Sequence, residues 1–271
     1  MSVTSTAVVL AKLGAIGAAI GAGLVIGACA VPVRDGGVAG MEDMADRTPP
    51  GFELRRMGEG EQSLAYVVYT PEGRGEEAMP AIVFLHGAGE CGADGWRHVG
   101  KSSLAESIMD DPKRWPFVVI MPQKPVLKKE WETYDATVMK ILDDTISREN
   151  IDTSRVYLTG LSQGGHGTWV IGATHPDRFA AIAPICGYGD PDMMAGPLAS
   201  MAVWAFHGLA DKVVPPAQTT NITKVLRDRR GKDGAELKET LYPGVGHNSW
   251  ENAFAEKELP GWFLKHKKSE K

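Results

Sequence analysis

Short apolar runs alternate with longer segments of helical spacing after Gly60, and this alternation constrains the fold more than any other feature. Several runs are apolar at every position, which is typical of parallel strands covered on both faces. The order predicts an α/β fold, a mostly parallel central sheet with helices on both faces and functional residues at the carboxyl ends of its strands. Predicted strands cover 64–69, 81–86, 117–121, 156–160, 180–185, 203–207 and 237–242. Predicted helices cover 101–109, 136–148, 165–175, 217–229, 250–257 and 259–265.

The bulk composition is that of a globular chain with one large core. The 271 residues are 43% hydrophobic and 23% charged, and α/β domains of this size often stay single. The net charge of −5 provides no basic field to hold phosphates. This charge disfavours nucleic acid and bulk anionic lipid as partners.

The first 29 residues differ from the rest, because an uncharged run of small and aliphatic residues follows Lys12 and ends in Ile26-Gly27-Ala28-Cys29. This ending resembles the bacterial lipobox, in which the cysteine becomes the lipidated N-terminus. Three interpretations stay open: a lipoprotein signal, a plain secretion signal, and an uncleaved anchor or misassigned start. We expect an exported protein, either secreted or tethered to the cell envelope through Cys29.

Three segments follow from these patterns. Residues 1–29 are the signal or lipoprotein segment, residues 30–60 are a flexible linker rich in Gly, Asp, Arg and Pro, and residues 61–271 are the α/β domain.

A G-x-S-x-G pattern at Gly160-Leu161-Ser162-Gln163-Gly164 joins a predicted strand to a predicted helix. Glycine is needed on either side of such a serine because a Cβ there would collide with the neighbouring strand or the helix start. A glycine-rich turn without chemistry is the alternative. The flanking strand and helix favour Ser162 as a nucleophile.

An acid and a histidine follow Ser162 in the chain order Ser, Asp, His, which is one of the orders in which catalytic triads occur. Asp211 comes after the predicted strand 203–207, and His247 comes after the strand that ends at Tyr242. Because those strands end at the same sheet edge, we expect Asp211 to orient His247 and His247 to act as the base. Asp190 and Asp192 are expected to be solvated turn residues.

The other histidines are mostly expected to be structural. His86 and His207 each end a strand before a glycine, where an imidazole commonly bonds to neighbouring backbone. His166 has two open interpretations, pocket lining or local packing. Three histidines lie in polar surroundings and are expected to be solvated: His98, His175 and His266. No pair has the H-E-x-x-H spacing of a zinc site, so we expect no metal and no other cofactor.

The glycine-rich loop after the second predicted strand, Leu85-His86-Gly87-Ala88-Gly89-Glu90, is in the position of an oxyanion loop. In this fold one donor comes from that loop and the other is the amide after the nucleophile. These rules predict Ala88 and Gln163 as the donors. A plain glycine-rich turn is the alternative.

Pocket residues and cysteine pairing are less constrained by the pattern. Trp96 and Trp250, with His166, are the predicted substrate-binding residues, although core packing is the commoner role of tryptophan and also fits Trp131 and Trp169. Two cysteines follow strands that end at the same edge of the sheet: Cys91 and Cys186. In an oxidising compartment they form a disulfide or remain separate thiols, and both possibilities stay open.

Five segments together resemble the dienelactone hydrolase-like esterases of the α/β-hydrolase superfamily. They are Leu85–Glu90, Gly160–Gly165, Pro184–Gly187, Phe206–Gly208 with Asp211, and Tyr242–His247. Within that group the chain is most similar to secreted proteins often called predicted peptidases, which are related to feruloyl esterases and polyhydroxybutyrate depolymerases. The resemblance covers roughly residues 63–264. Two departures touch the pocket mouth: Cys91 stands where the family commonly has Arg, and the stretch 124–131 is more basic.

The resemblance implies an α/β-hydrolase catalytic domain, a triad of Ser162, Asp211 and His247, and oxyanion donors at Ala88 and Gln163. We therefore predict a serine esterase that cleaves small-molecule or oligomeric carboxylic esters through an acyl-enzyme intermediate. Two alternatives stay open: a serine peptidase of the prolyl oligopeptidase-like type, and a catalytically dead, lipid-anchored binding protein.

Overall fold

An eight-stranded sheet runs through the centre of the protein in the computed structural model, which describes residues 48–73, 75–100, 103–231 and 234–268. The strands follow the order β1-β2-β4-β3-β5-β6-β7-β8. β1 pairs antiparallel with β2 and β2 antiparallel with β4, whereas all other pairs are parallel. The strands are β1 Phe52–Met57, β2 Leu64–Tyr69, β3 Met79–Leu85, β4 Val118–Gln123, β5 Ile151–Leu161, β6 Ala181–Ile185, β7 Ala202–Gly208 and β8 Leu237–Tyr242.

Seven α-helices connect or follow the strands within the described residues. They are α1 Leu104–Asp110, α2 Asp135–Glu149, α3 Gln163–Thr174, α4 Pro191–Ala195, α5 Ala217–Arg230, α6 Trp250–Ala255 and α7 Leu259–Lys265. Helix α3 is buried over residues 163–172, so the helix that follows the turn is packed within the protein. None of the helices in the described part of the chain has the length and hydropathy that a bilayer span requires.

The core explains why the parallel strands are apolar at every position. Ile82 and Phe84 alternate with Ala81 and Val83 along β3, and all four side chains are buried, so β3 is covered on both faces. On one face Ile82 and Phe84 belong to a cluster that includes Leu104 of α1. The predicted α/β class is confirmed.

All seven predicted strands are present, and β2 and β8 have the predicted bounds. The prediction of a linker over 30–60 is wrong at its end, because β1 lies inside it and the compact unit begins at Pro49. β1 is an edge strand in which only Phe52 is buried and the other five positions are partly buried or exposed, so it lacks the apolar run that identified the other strands. Segment 1–29 and Cys29 lie outside the described residues.

Candidate active site

Ser162 occupies the sharp turn between β5 and α3, where its backbone has φ 54° and ψ −115°. Residues with a side chain rarely adopt a positive φ, and those that do are concentrated at functional sites. The Ser162 carbonyl accepts the amide of His166 at 2.9 Å, which starts the helix directly after the turn. The serine hydroxyl is thereby presented at the carboxyl end of the central strand.

Two glycines allow this turn to press against strand β3. A Cβ on Gly164 would lie 1.9 Å from the carbonyl oxygen of Leu85, and a Cβ on Gly160 would lie 2.6 Å from the same oxygen. Backbone cannot approach a side chain so closely, so the turn requires glycine at both positions. The G-x-S-x-G spacing therefore has a steric cause here.

His247 lies between Ser162 and Asp211 and hydrogen-bonds to both. Its Nε2 is 2.8 Å from the Ser162 hydroxyl oxygen, and its Nδ1 is 2.7 Å from Oδ2 of Asp211. A carboxylate only accepts, so Nδ1 carries a proton and donates, which leaves Nε2 of the neutral ring to accept the serine proton. The structure brings together all three residues that the sequence analysis singled out.

Asp211 is buried and accepts hydrogen bonds on both oxygens. The amides of Val213 and Val214 donate to Oδ1 at 2.8 and 3.0 Å, while His247 donates to Oδ2. Burial raises the pKa of Asp211, but the hydrogen bonds from His247, Val214 and Val213 outweigh it, so the pKa lies below the usual value. Asp211 is therefore held ionised beside the imidazole.

A second histidine, His207, contacts the same carboxylate from the end of β7. Its Nε2 is 3.2 Å from Oδ2 of Asp211 and 2.9 Å from the Val214 carbonyl, and its Nδ1 is 2.7 Å from the Thr219 hydroxyl. Since a carbonyl only accepts, Nε2 donates and Nδ1 accepts from Thr219. His207 is structural, as expected, but the sequence did not indicate that it contacts the acid of the site.

The loop between β3 and α1 approaches Ser162 from the other side. Residues Ala88–Glu90 form a short 3₁₀ turn, and a Cβ on Gly87 would lie 2.7 Å from the Leu161 side chain. Gln163 begins α3, and its side-chain amide donates to the carbonyl of Leu127 at 3.1 Å. Ala88 and Gln163 thus lie on the two elements next to the serine, and their role as oxyanion donors stays a prediction.

The predicted pocket tryptophans have different surroundings. The Trp250 ring stands perpendicular to His247 with 5.5 Å between ring centroids, and Trp250 and Leu161 line a cavity of about 170 Å³. Trp96 is partly buried and packs against the core cluster. Trp131 and Trp169 are fully buried core residues. Only Trp250 therefore combines a contact to His247 with a cavity wall.

His166 lies one turn after Ser162 and stacks on Tyr188 with 4.4 Å between ring centroids. Its Nδ1 donates to the Tyr188 carbonyl at 2.8 Å, and its Nε2 is 3.4 Å from Glu132. Burial lowers the pKa of His166, but the Glu132 carboxylate outweighs it, so the pKa is raised. His166 is buried and well bonded, so of its two open interpretations the contacts favour packing beside the nucleophile.

Two sets of side chains in the described residues bring potential metal-ligand atoms within 4.8 Å of one another: Glu130, Glu132 and His166, and Cys186, Asp211 and His247. In the second set Asp211 and His247 are already joined by a hydrogen bond of 2.7 Å. A cation there would displace the proton that orients the imidazole.

The prediction that His98 is solvated is wrong. His98 is fully buried and donates from Nε2 to the Met121 carbonyl at 2.7 Å, and burial lowers its pKa to about 4. His175 pairs with Asp135 at 2.8 Å, and His266 lies 3.2 Å from Glu236, so neither is simply solvated. The hydrogen-bond and ion-pair partners of these histidines come from distant segments of the chain, so the polar sequence around each histidine did not indicate them.

The two described cysteines are both free, so the disulfide alternative is wrong. Cys186 is fully buried at a positive φ of 40°, and burial raises the pKa of its thiol to about 12. Cys91 instead lies 3.3 Å from the Lys124 ammonium. Each sulfur thus has its own surroundings, although both follow strands at one edge.

The strand order, the turn at Ser162 and the hydrogen-bonded Ser, His and Asp define an α/β hydrolase. A model of the dienelactone hydrolase family matches residues 114–269, more than half of the chain, and the protein belongs to that family.

Relatives of the chain include a depolymerase and an esterase by name. Poly(3-hydroxyalkanoate) depolymerase C of Paucimonas lemoignei is 24% identical over 250 residues, covering 74% of this chain and 57% of that protein. Acetylxylan esterase A of Emericella nidulans is 27% identical over 155 residues, covering 52% of this chain and 48% of that protein. The chain spans about half the length of these two relatives.

Solved structures have the same fold. A thermostable esterase superposes with a TM-score of 0.72 at 28% identity, covering 80% of this chain and 64% of that one. A mutant feruloyl esterase module from Clostridium thermocellum superposes with a TM-score of 0.64 at 15% identity, covering 83% and 93%. The predicted family and fold are confirmed.

Proposed function

We propose that this protein is a serine hydrolase that cleaves carboxylic esters, with Ser162 as nucleophile, His247 as general base and Asp211 as the acid that orients it. The observation that carries the proposal is the imidazole of His247 within 2.8 Å of the serine hydroxyl and 2.7 Å of the carboxylate. Hydrogen-bonding distance between nucleophile and base is the geometric requirement for this chemistry.

In the proposed reaction, His247 Nε2 takes the hydroxyl proton as Ser162 attacks the ester carbonyl. The tetrahedral intermediate collapses, the alcohol leaves with the proton from His247, and an acyl-serine remains. Water then attacks the acyl-serine with His247 again as base, which releases the carboxylic acid and restores the hydroxyl.

The charges that develop in these steps have partners in the proposed site. The amides of Ala88 and Gln163 are proposed to donate to the oxyanion, and the positive end of the α3 dipole favours negative charge beside Ser162. Asp211, whose pKa is lowered, stabilises the imidazolium that His247 becomes. The amides of Val213 and Val214 and the imidazole of His207 also contact the Asp211 carboxylate, so its orientation is fixed before substrate binds.

The preference for an ester is supported by the names of the relatives, which include a polyester depolymerase and an acetylxylan esterase. We further propose that the chain is exported and that Cys29, when lipidated, tethers it to a membrane. Mass spectrometry of the mature N-terminus tests that part separately.

Hydrolysis of p-nitrophenyl acetate tests the proposal. Ser162→Ala is expected to lose at least about 10⁴-fold in kcat. Ser147→Ala, at an exposed serine of α2, is the matched control and is expected to keep wild-type activity. Equal turnover by the Ser162 variant and the wild type would contradict the proposal. Faster turnover of a matched peptide amide than of the ester would favour a peptidase.

A further inference from the structure

Large apolar side chains that are exposed in the described residues are concentrated around the proposed site. There are five, and four of them lie on two loops at the carboxyl ends of strands. We call these four the apolar rim: Val126 and Leu127 after β4, and Leu209 and Val213 after β7, with exposed fractions of 39%, 54%, 48% and 62%. The fifth, Met109 on α1, is not on these loops.

Both loops are attached to the proposed triad. The carbonyl of Leu127 accepts the side-chain amide of Gln163, the residue after the nucleophile, at 3.1 Å. Leu209 and Val213 lie two residues on either side of Asp211, and the Val213 amide donates to that carboxylate at 2.8 Å. The rim is therefore continuous with the site.

The rim is held in place by buried groups beneath it. The ammonium of Lys124, which is fully buried, donates to the carbonyls of Val126 at 3.1 Å and Lys129 at 2.8 Å. The loop after β7 is fixed by the bonds to Asp211 and by the Ala210 amide, which donates to the Val245 carbonyl at 2.9 Å. The apolar side chains are thus presented to solvent by ordered backbone.

The two loops lie on opposite sides of Ser162. In the sheet, β4 is two strands from β5 in one direction, and β7 is two strands from β5 in the other. Neighbouring strands are about 4.8 Å apart, so the strand ends that carry the rim are separated by roughly 20 Å. A short acyl group cannot reach both loops at once, whereas an extended apolar surface can.

We propose that the apolar rim binds the surface of a water-insoluble ester and thereby positions Ser162 next to ester groups at that surface. This inference rests on the proposed function and names its substrate class. Exposed apolar side chains that are grouped on a protein surface usually mark a binding surface, and here two such pairs lie on either side of the serine that would react. A suspended aliphatic polyester provides a substrate of this kind.

The experiment compares full-length wild type with Leu127→Ser/Val213→Ser, which changes the most exposed rim residue on each loop, and with Met109→Ser as the matched control. Binding to polyester particles is measured by sedimentation, and hydrolysis is measured on particles and on soluble p-nitrophenyl acetate. About half of each aliphatic side chain is exposed, so each substitution is expected to weaken adsorption about fivefold, or about 25-fold together. The ratio of particle rate to soluble rate is expected to fall with adsorption.

Unchanged adsorption and an unchanged ratio in the rim variant, or an equal loss in Met109→Ser, would overturn the inference. Equal binding of wild type to phosphatidylcholine vesicles would assign the rim to a membrane instead. A dimer of the wild type that the rim variant abolishes would assign it to a second copy. If wild type fails to hydrolyse even the soluble ester while adsorption still depends on the rim, the proposed function fails and the surface remains.

Discussion

Replacing Ser162 by glycine should give a more stable protein than replacing it by alanine. Both variants lose the hydroxyl and its bond to His247, so the difference between them isolates the Cβ at a backbone φ of 54°. A non-glycine residue at such a φ costs about 1–3 kcal/mol. Glycine loses about 0.4–1 kcal/mol through its freer unfolded chain. The balance favours glycine by about 1 kcal/mol.

Urea unfolding of the two variants measures this difference, and thermal unfolding should show the glycine variant melting about 3 °C higher for a domain of this size. Ser147 in the last turn of α2 is the control, because there the usual helix preference should make alanine more stable than glycine, by at most about 1 kcal/mol. A Ser162→Ala protein as stable as Ser162→Gly would refute the strained turn that the proposed nucleophile requires.

Three further predictions follow from the site. His207→Leu removes the imidazole that contacts Asp211 and leaves the Thr219 hydroxyl without its acceptor. We therefore expect the unfolding free energy to fall by about 3 kcal/mol and kcat to fall about tenfold, with partial recovery of both in His207→Gln. A His207→Leu variant with wild-type kcat would argue against this positioning role. Gly164→Ala should not accumulate as soluble folded protein, because its Cβ would lie 1.9 Å from the Leu85 carbonyl oxygen. A variant that circular dichroism shows to be well folded would contradict the steric requirement for glycine at this position. The pKa of Asp211 is depressed in the folded state, so its ionised carboxylate stabilises the fold above the ordinary aspartate pKa of about 3.9, and this stabilisation is lost as the pH falls through the folded pKa. The difference in unfolding free energy between wild type and Asp211→Asn should therefore shrink below about pH 4. A difference that does not change with pH would contradict the lowered pKa.

The sequence predicted the parallel strands and the three triad residues because both follow from local rules. Buried parallel strands need apolar residues on both faces, and a serine in a strained turn needs glycines at fixed positions around it. The carboxyl ends of such strands meet at one edge, so the order of Ser162, Asp211 and His247 was enough to place them together.

What the sequence did not predict depends on contacts between distant segments. β1 is an edge strand whose Arg55 is bonded to Glu149 of α2, and nothing local distinguishes it from a polar linker. His98 is buried, and its hydrogen-bond acceptor is the carbonyl of Met121 on β4, which is 23 residues away in the chain. The apolar rim could not be predicted because the sequence alone does not show that the Leu127 and Val213 side chains are exposed in the folded protein.

Labelling of the intact protein with a fluorophosphonate, followed by peptide mass spectrometry, tests the central claim most directly. If the hydroxyl bonded to His247 is the nucleophile, one adduct should form on Ser162, and prior unfolding should abolish it. An adduct on another serine, or no adduct on folded protein that binds ester substrate, would contradict the proposed chemistry.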